Sequence, residues 1–245
     1  MGWALAIAAM ALWSGIASAE AVDPAKLRKD LVGSVIALRQ PLRGSEITFQ
    51  PDGDPLPPIQ RGTFARDALL RIDDVRLAGS TLLFDCHRMI LVARSTGKGV
   101  EFFPTNEKTR VLVFLRSREA GSVERVLDSV FRRSAETQGL LTDYARAFTR
   151  DGLLEPNRPV MRCKLQPLDR PSPYGPANGR FVARLIVNEW GEPEAIGVMS
   201  APKSKGDVKT FITTLWDWRF VPYQKNGKAT ACSGTIAMRF EPRLR

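Results

Sequence analysis

The sequence predicts an α+β fold: a β-rich N-terminal region with two helices, a Pro-rich linker, and a small C-terminal antiparallel sheet with one packed helix. Three observations carry this. Between residues 31 and 115, short apolar or alternating runs are broken by Gly, Pro and Asp turns, the pattern of strands. Between 122 and 148, apolar residues recur at three- and four-residue spacing, the pattern of amphipathic helices. Between 151 and 178, prolines at 156, 159, 167, 171, 173 and 176 leave no apolar period, so this stretch reads as a semi-rigid linker. The expected segments are therefore a leader at 1–19, a β-rich region at 20–150, the linker at 151–178 and a C-terminal module at 179–245.

The leader sets the compartment. Gly2 to Ile16 is almost wholly apolar and runs into Ala17-Ser18-Ala19, a small-x-small cleavage pattern. It is shorter than the roughly 20 residues a spanning helix needs, which favours a cleaved secretory signal and a mature chain from Glu20. No Lys or Arg precedes the apolar run, so an uncleaved N-terminal anchor is the alternative. Hydrophobic content of 44% and charged content of 25% are ordinary globular values, which exclude wholesale disorder. A net charge of +10 favours polyanions. Export disfavours nucleic acid and points to anionic cell-wall polymers or lipopolysaccharide.

Within 20–150, Leu31 to Leu38 reads as a first short strand, closed by Pro41-Leu42-Arg43-Gly44. Ile47 to Phe49 is a second, ended by Pro51-Asp52-Gly53-Asp54. Ala68 to Leu77 and Thr81 to Ala93 form a hairpin across Gly79-Ser80, with Leu82, Phe84, Ile90 and Val92 on one face. Val111 to Leu115 adds another strand. Such spacing predicts a small barrel or sandwich. Two helices follow. Val123, Val126, Leu127, Val130 and Phe131 form the first stripe, with Ser122 as its expected cap and Arg132 and Arg133 in its last turn. After Gly139, Leu141, Tyr144, Ala145 and Phe148 form the second. Both stripes read as core-facing surfaces.

From Gly179 the chain is most legible. Phe181, Ala183, Leu185 and Val187 alternate with Val182, Arg184, Ile186 and Asn188 as a strand. Asn188-Glu189-Trp190-Gly191 is a turn, with Gly191 able to take positive φ. Ala195 to Met199 returns as a second strand. Val208, Phe211, Ile212 and Leu215 stripe a helix with Asp207 as expected cap. Trp218, Arg219, Phe220 and Pro222 leave it in extended form. Asn226-Gly227-Lys228 turns into a last strand, in which Cys232, Ile236, Met238 and Phe240 share one face.

This order, with Gly191, the Trp218-Arg219-Phe220-x-Pro222 run and the Asn226-Gly227 turn at the joints, resembles the C-terminal domain of TonB-type energy transducers of Gram-negative bacteria. The resemblance covers roughly residues 171–242, less than a third of the chain. It implies a small sheet with helical packing on one face, working by strand addition at a sheet edge. Its partner would be the N-terminal segment of a TonB-dependent outer-membrane transporter, laid beside the last strand at Ala231, Ser233, Thr235, Ala237 and Arg239. The chain departs from the family: a cleavable leader stands where an anchor belongs, a folded region replaces the spacer, and the family's first helix is nearly absent. The fold therefore carries over better than energy transduction. The expectation is a periplasmic, non-enzymatic protein-binding protein, with a membrane-anchored transducer as the alternative and a ligand-binding or hydrolytic N-terminal region as a third reading.

Three cysteines permit at most one internal bridge. Cys163 and Cys232 flank the module and read either as a pair or as separate buried thiols; Cys86 stands apart. The single histidine, His87, would share a strand face with Asp85, while Cys86 points to the other face, so no nucleophile–base dyad forms. Asp73-Asp74 alternate across a strand and do not converge. No Cys-x-x-Cys pair, P-loop spacing or nucleophile elbow occurs. No catalytic residue, metal site or cofactor is expected. Lys203, Lys205, Lys209, Lys225 and Lys228 make the module basic, either as a solvated face or as a contact for anionic wall material or lipopolysaccharide.

Overall fold

The computed structural model describes residues 21–94, 99–149, 153–155, 158–159, 161–170 and 179–240. The leader at 1–19 lies outside them. The fold is mixed α+β, mostly sheet with a few helices, and no closed barrel forms among the described residues. No described helix is long and apolar enough to cross a membrane. Two compact units divide the chain. The first holds the described residues up to Ile90 and Pro104–Gln138, and the second holds Leu91–Phe103 and those from Gly139 onward. This division differs from the expected segments: residues 139–149 and the described parts of 151–178 belong with the C-terminal module.

The first unit opens on a helix in a stretch where the sequence predicts no element before the expected strand at Leu31. α1 (Pro24–Leu31) starts at Asp23, whose carboxylate accepts the Ala25 N–H at 2.9 Å, with Pro24 in the first turn. Only β1 (Val35–Ala37) of the expected strand at 31–38 is extended. β2 (Glu46–Phe49), β3 (Leu69–Ala78), β4 (Thr81–Arg94) and β5 (Val100–Phe114) follow, with a π-helical turn at Phe64–Ala68 leading into β3. The strand order is β1-β3-β4-β5-β2, with β1/β3 and β3/β4 antiparallel and β2/β5 parallel.

The sheet is open, so the expected barrel is corrected, and among the described residues of this unit no second sheet covers it. Its apolar face is covered instead by α2 (Ala120–Val130). Val123, Val126, Leu127 and Val130 share one core with Phe49, Phe84, Val111 and Val113, and Phe131 meets Phe84 edge-on at 5.3 Å. A helix stripe of this width does the work that a second sheet would do in a sandwich. α2 starts after Glu119, so Ser122 lies inside the first turn and not at the cap. It ends at Phe131, placing Arg132 and Arg133 beyond it. α3 (Ser134–Thr149) then begins in this unit and runs into the second.

In the second unit, β6 (Leu153–Glu155) pairs with β7 (Arg158–Pro159). β8 (Met161–Arg162) and β9 (Pro167–Asp169) precede β10 (Gly179–Val187), β11 (Pro193–Ser200), α4 (Lys205–Asp217), β12 (Arg219–Phe220), β13 (Gln224–Lys225), β14 (Lys228–Ala229) and β15 (Cys232–Phe240). The main sheet runs from the end of β4 through β11, β10 and β15 to β8. β11 lies parallel to Ala93-Arg94, β10 is antiparallel to both neighbours, and β8 is parallel to β15.

α4 covers one face, with Phe211 stacked on Phe181 at 5.1 Å and Val208, Ile212 and Leu215 buried beside it. Ser204, not Asp207, caps this helix: its hydroxyl accepts the Asp207 N–H at 3.3 Å. Tyr144 of α3 ties the sheet together. Its hydroxyl donates to the Leu91 carbonyl and accepts the Ile196 N–H, at 3.3 and 3.2 Å.

Candidate edge-docking site

The expected linker is partly structured, and this decides the site. β9 pairs with β12, placing Asp169 opposite Arg219 and Pro167 opposite Phe220, and the Val221 N–H donates to Gln166 at 2.9 Å. The Arg170 guanidinium lies 5.6 Å from the Trp218 ring centre. Isolated pairs of residues this short do not hold a strand by themselves; they are held by the partner they meet.

The motif residues close one end of the module. Asn188 Oδ1 accepts the N–H groups of Trp190 and Glu192 at 3.1 and 2.9 Å, setting the turn between β10 and β11. Gly191 has φ +79°, and a Cβ there would lie 2.0 Å from the Phe220 carbonyl oxygen. The Phe220 N–H donates to the Gly191 carbonyl at 2.9 Å. The Trp-Arg-Phe run is thus laid directly on the turn, with Trp218 and Phe220 buried and Arg219 3.5 Å from Glu192. Asn226 and Gly227 both have positive φ, 53° and 73°, the requirement of a two-residue hairpin between β13 and β14.

β15 has one side on β10 along its whole length, Cys232 opposite Val187 through Phe240 opposite Gly179. On the other side, β8 covers its start. Met161 lies opposite Cys232, Arg162 lies opposite Ser233, and the Cys163 N–H donates to the Ser233 carbonyl at 2.9 Å. A disulfide joins Cys163 to Cys232 and fixes the short strand there. Ser233 is 5% exposed.

Since the Ser233 backbone points outward, the two-residue period directs the N–H and C=O groups of Thr235, Ala237 and Arg239 to the same outer edge. No described strand pairs with β15 beyond Ser233 on that side. Of the five expected edge residues, Ser233 is therefore occupied by the chain's own β8. Ala231 precedes the strand and is buried. Thr235, Ala237 and Arg239 make up the rest.

At the junction lies a pocket of about 180 Å³, lined by Arg162, Cys163, Arg184, Ser233, Gly234 and Thr235. Register explains its composition. Arg184 stands opposite Thr235, and Arg162 opposite Ser233, so two guanidiniums and two hydroxyls from three strands share one face. Sequence reasoning missed Arg162 and Arg184 as site residues. The alternation in β10 placed Arg184 away from the core, but nothing in the linker signalled a strand at Arg162.

Among the described residues, the chemistry-bearing groups of the first unit do not gather into a comparable site. His87 Nδ1 contacts Asp73 on β3, and Asp85 is held by Arg76 and Arg110, so the face that His87 was expected to share with Asp85 does not bring the two together as a pair. The β-bulge between Ile72 and Asp74 is the cause: it adds Asp73 to β3 beside the Arg71–His87 pair. Arg110, whose side chain bonds Asp85 directly, is the largest cause holding that carboxyl below its usual range; partial burial opposes it, and Arg76 adds to it. Cys86 points into the core, and burial, with Asp73 and Asp85 nearby, pushes its thiol up to about 12. It is an inert core residue. Among the described residues, no three His, Cys, Asp or Glu side chains converge.

No protein-family model matches the chain, and no curated protein matches it.

Proposed function

We propose that this chain is a non-enzymatic binding protein of the cell envelope, whose C-terminal module docks a partner by adding the partner's strand to the outer edge of β15. The observation that carries this reading is the outward row at Thr235 and Ala237, which starts where β8 stops. Unsatisfied backbone groups on such an edge form a template for a further strand. The order of elements from Gly179 supports a TonB C-terminal-like module, since strand, Gly turn, strand, helix, Trp-Arg-Phe run, hairpin and last strand follow as in that family. The partner is then an envelope protein with an extended segment, a TonB-dependent outer-membrane transporter first among them. The apolar leader supports a periplasmic location. The basic surface adds contact with anionic wall polymers or lipopolysaccharide.

Titration of the isotopically labelled protein with transporter N-terminal peptides tests the reading. Amide resonances from Thr235 to Arg239 shift if a strand adds there. Unchanged resonances at millimolar peptide refute transporter docking at this edge.

A further inference from the structure

From the pocket at the end of β15 we infer that the strand taken at this edge is the carboxyl terminus of a partner protein, its terminal carboxylate held by Arg162 and Arg184. The inference rests on the strand-addition reading above but not on its transporter partner: the ligand is a chain that ends at this edge, in place of a transporter's N-terminal segment. Two facts on the same face lead to it. The first is a stop. β8 occupies the outer side of β15 at Cys232 and Ser233 and is fixed there by the Cys163–Cys232 disulfide. A strand added antiparallel to β15 runs from Arg239 toward Thr235 and finds the next pairing position already filled. A chain that ends there fits without bending. One that continues must leave the sheet.

The second fact is charge. The pocket at that stop is lined by Arg162 and Arg184, with Ser233 and Thr235 supplying hydroxyls and Cys163 and Gly234 closing the wall. A strand added in the parallel sense would begin at this point and bring an ammonium group against two guanidiniums. An antiparallel strand brings a carboxylate, which guanidinium binds through charge-assisted hydrogen bonds of matching planar geometry. The electrostatics therefore choose both the direction and the end of the partner chain. Side chains of alternate partner residues would lie over Ala237 and Val182, which stand opposite each other on the same face, so small or apolar residues suit the positions before the terminus.

The experiment uses the full chain and two displayed libraries of random heptapeptides, one ending in a free carboxylate and one followed by a constant tail. A selected peptide is then made as the free acid and as the C-terminal amide. The expected result is enrichment of extended, apolar-alternating sequences from the free-acid library, with amidation costing about tenfold or more in affinity. A Arg162→Gln, Arg184→Gln variant should bind the acid no better than the amide and leave amide binding unchanged. Equal binding of acid and amide by the unaltered chain would overturn the carboxylate assignment while leaving strand addition intact. Enrichment from neither library would overturn both. Sodium acetate or inorganic phosphate serves as the last arm. If either alone shifts the Thr235 resonance as fully as the peptide does, with the peptide adding nothing at Ala237, the pocket is a simple oxyanion site and the inference fails.

Discussion

The two units use arginine in opposite ways. In the first, Arg88 is 2% exposed, and its guanidinium donates to the carbonyls of Asp67, Leu42 and Gly44 at 2.8, 2.9 and 2.9 Å. Asp67 lies alongside at 4.0 Å and accepts the Thr63 N–H at 2.7 Å. In the second, Arg162 and Arg184 line a surface pocket beside a strand edge. The same side chain closes a loop in one place and faces an opening in the other. A cation enclosed by its own chain's carbonyls fixes the fold and is not available to recognise another molecule. The proposed docking falls in the unit whose Arg162 and Arg184 line a surface pocket.

The largest test of this comparison is Arg88→Met. It leaves the buried carbonyls of Asp67 and Leu42 without the Arg88 donor and Asp67 with Arg43, at 3.5 Å, as its remaining cation, at a cost of about 3–5 kcal/mol. Cys86 is buried in the first unit and reports its opening through thiol labelling. All described tryptophans, Trp190, Trp216 and Trp218, lie in the second and report there by fluorescence. The Cys86 midpoint in urea should fall well below that of the parent, and the tryptophan midpoint should move less. Equal movement of both would break the contrast.

Next in size is the Cys163–Cys232 bridge, which spans 69 residues of sequence. Its loss in a Cys163→Ser, Cys232→Ser variant should cost about 2–4 kcal/mol, now in the tryptophan transition. Tyr144→Phe removes the hydroxyl that joins Leu91 to Ile196 and should cost about 1–3 kcal/mol, because two buried backbone groups lose their partner. Thermal unfolding followed by tryptophan fluorescence measures it.

The smallest effect is expected at Asp85, on the partly exposed face of the first unit. Its folded pKa is lowered, chiefly by Arg110. Its contribution is therefore present above the unfolded carboxylate value of about 3.9 and is lost as pH falls through the folded value. Asp85→Asn should cost less than about 1 kcal/mol at neutral pH and nothing under strongly acid conditions, as read by urea titration at both.

Much of the fold was legible because it is local. The β3–β4 hairpin, the stripe of α2, and the sequence β10, β11, α4, β15 each follow from period and turn chemistry within a few residues. The missed elements depend on distant partners. β8 is two residues long and exists only against β15. β9 exists only against β12. Their prolines and lack of period gave a linker, which is the correct local reading of a segment whose order is imposed from elsewhere. α1 was missed although Asp23-Pro24 is a capping signal, because the apolar run after Leu31 drew attention to a strand. That Thr235, Ala237 and Arg239 share one face was readable from alternation in β15, while the proposed edge role came from the resemblance alone. The capping of Ser233, and with it Arg162 in the pocket, was not. Likewise, the His87 partner could not be read from spacing along β4, since a bulge on the neighbouring strand supplied Asp73.

Amide hydrogen exchange at β15 tests the central claim most directly. In the protein saturated with a bound peptide, the outward amides of Thr235 and Ala237 should exchange at least about tenfold more slowly than in the free protein, because a new ladder closes over them. The inward amides, already paired with β10, should change little. Binding that leaves Thr235 and Ala237 exchanging at their free rates would contradict strand addition at this edge.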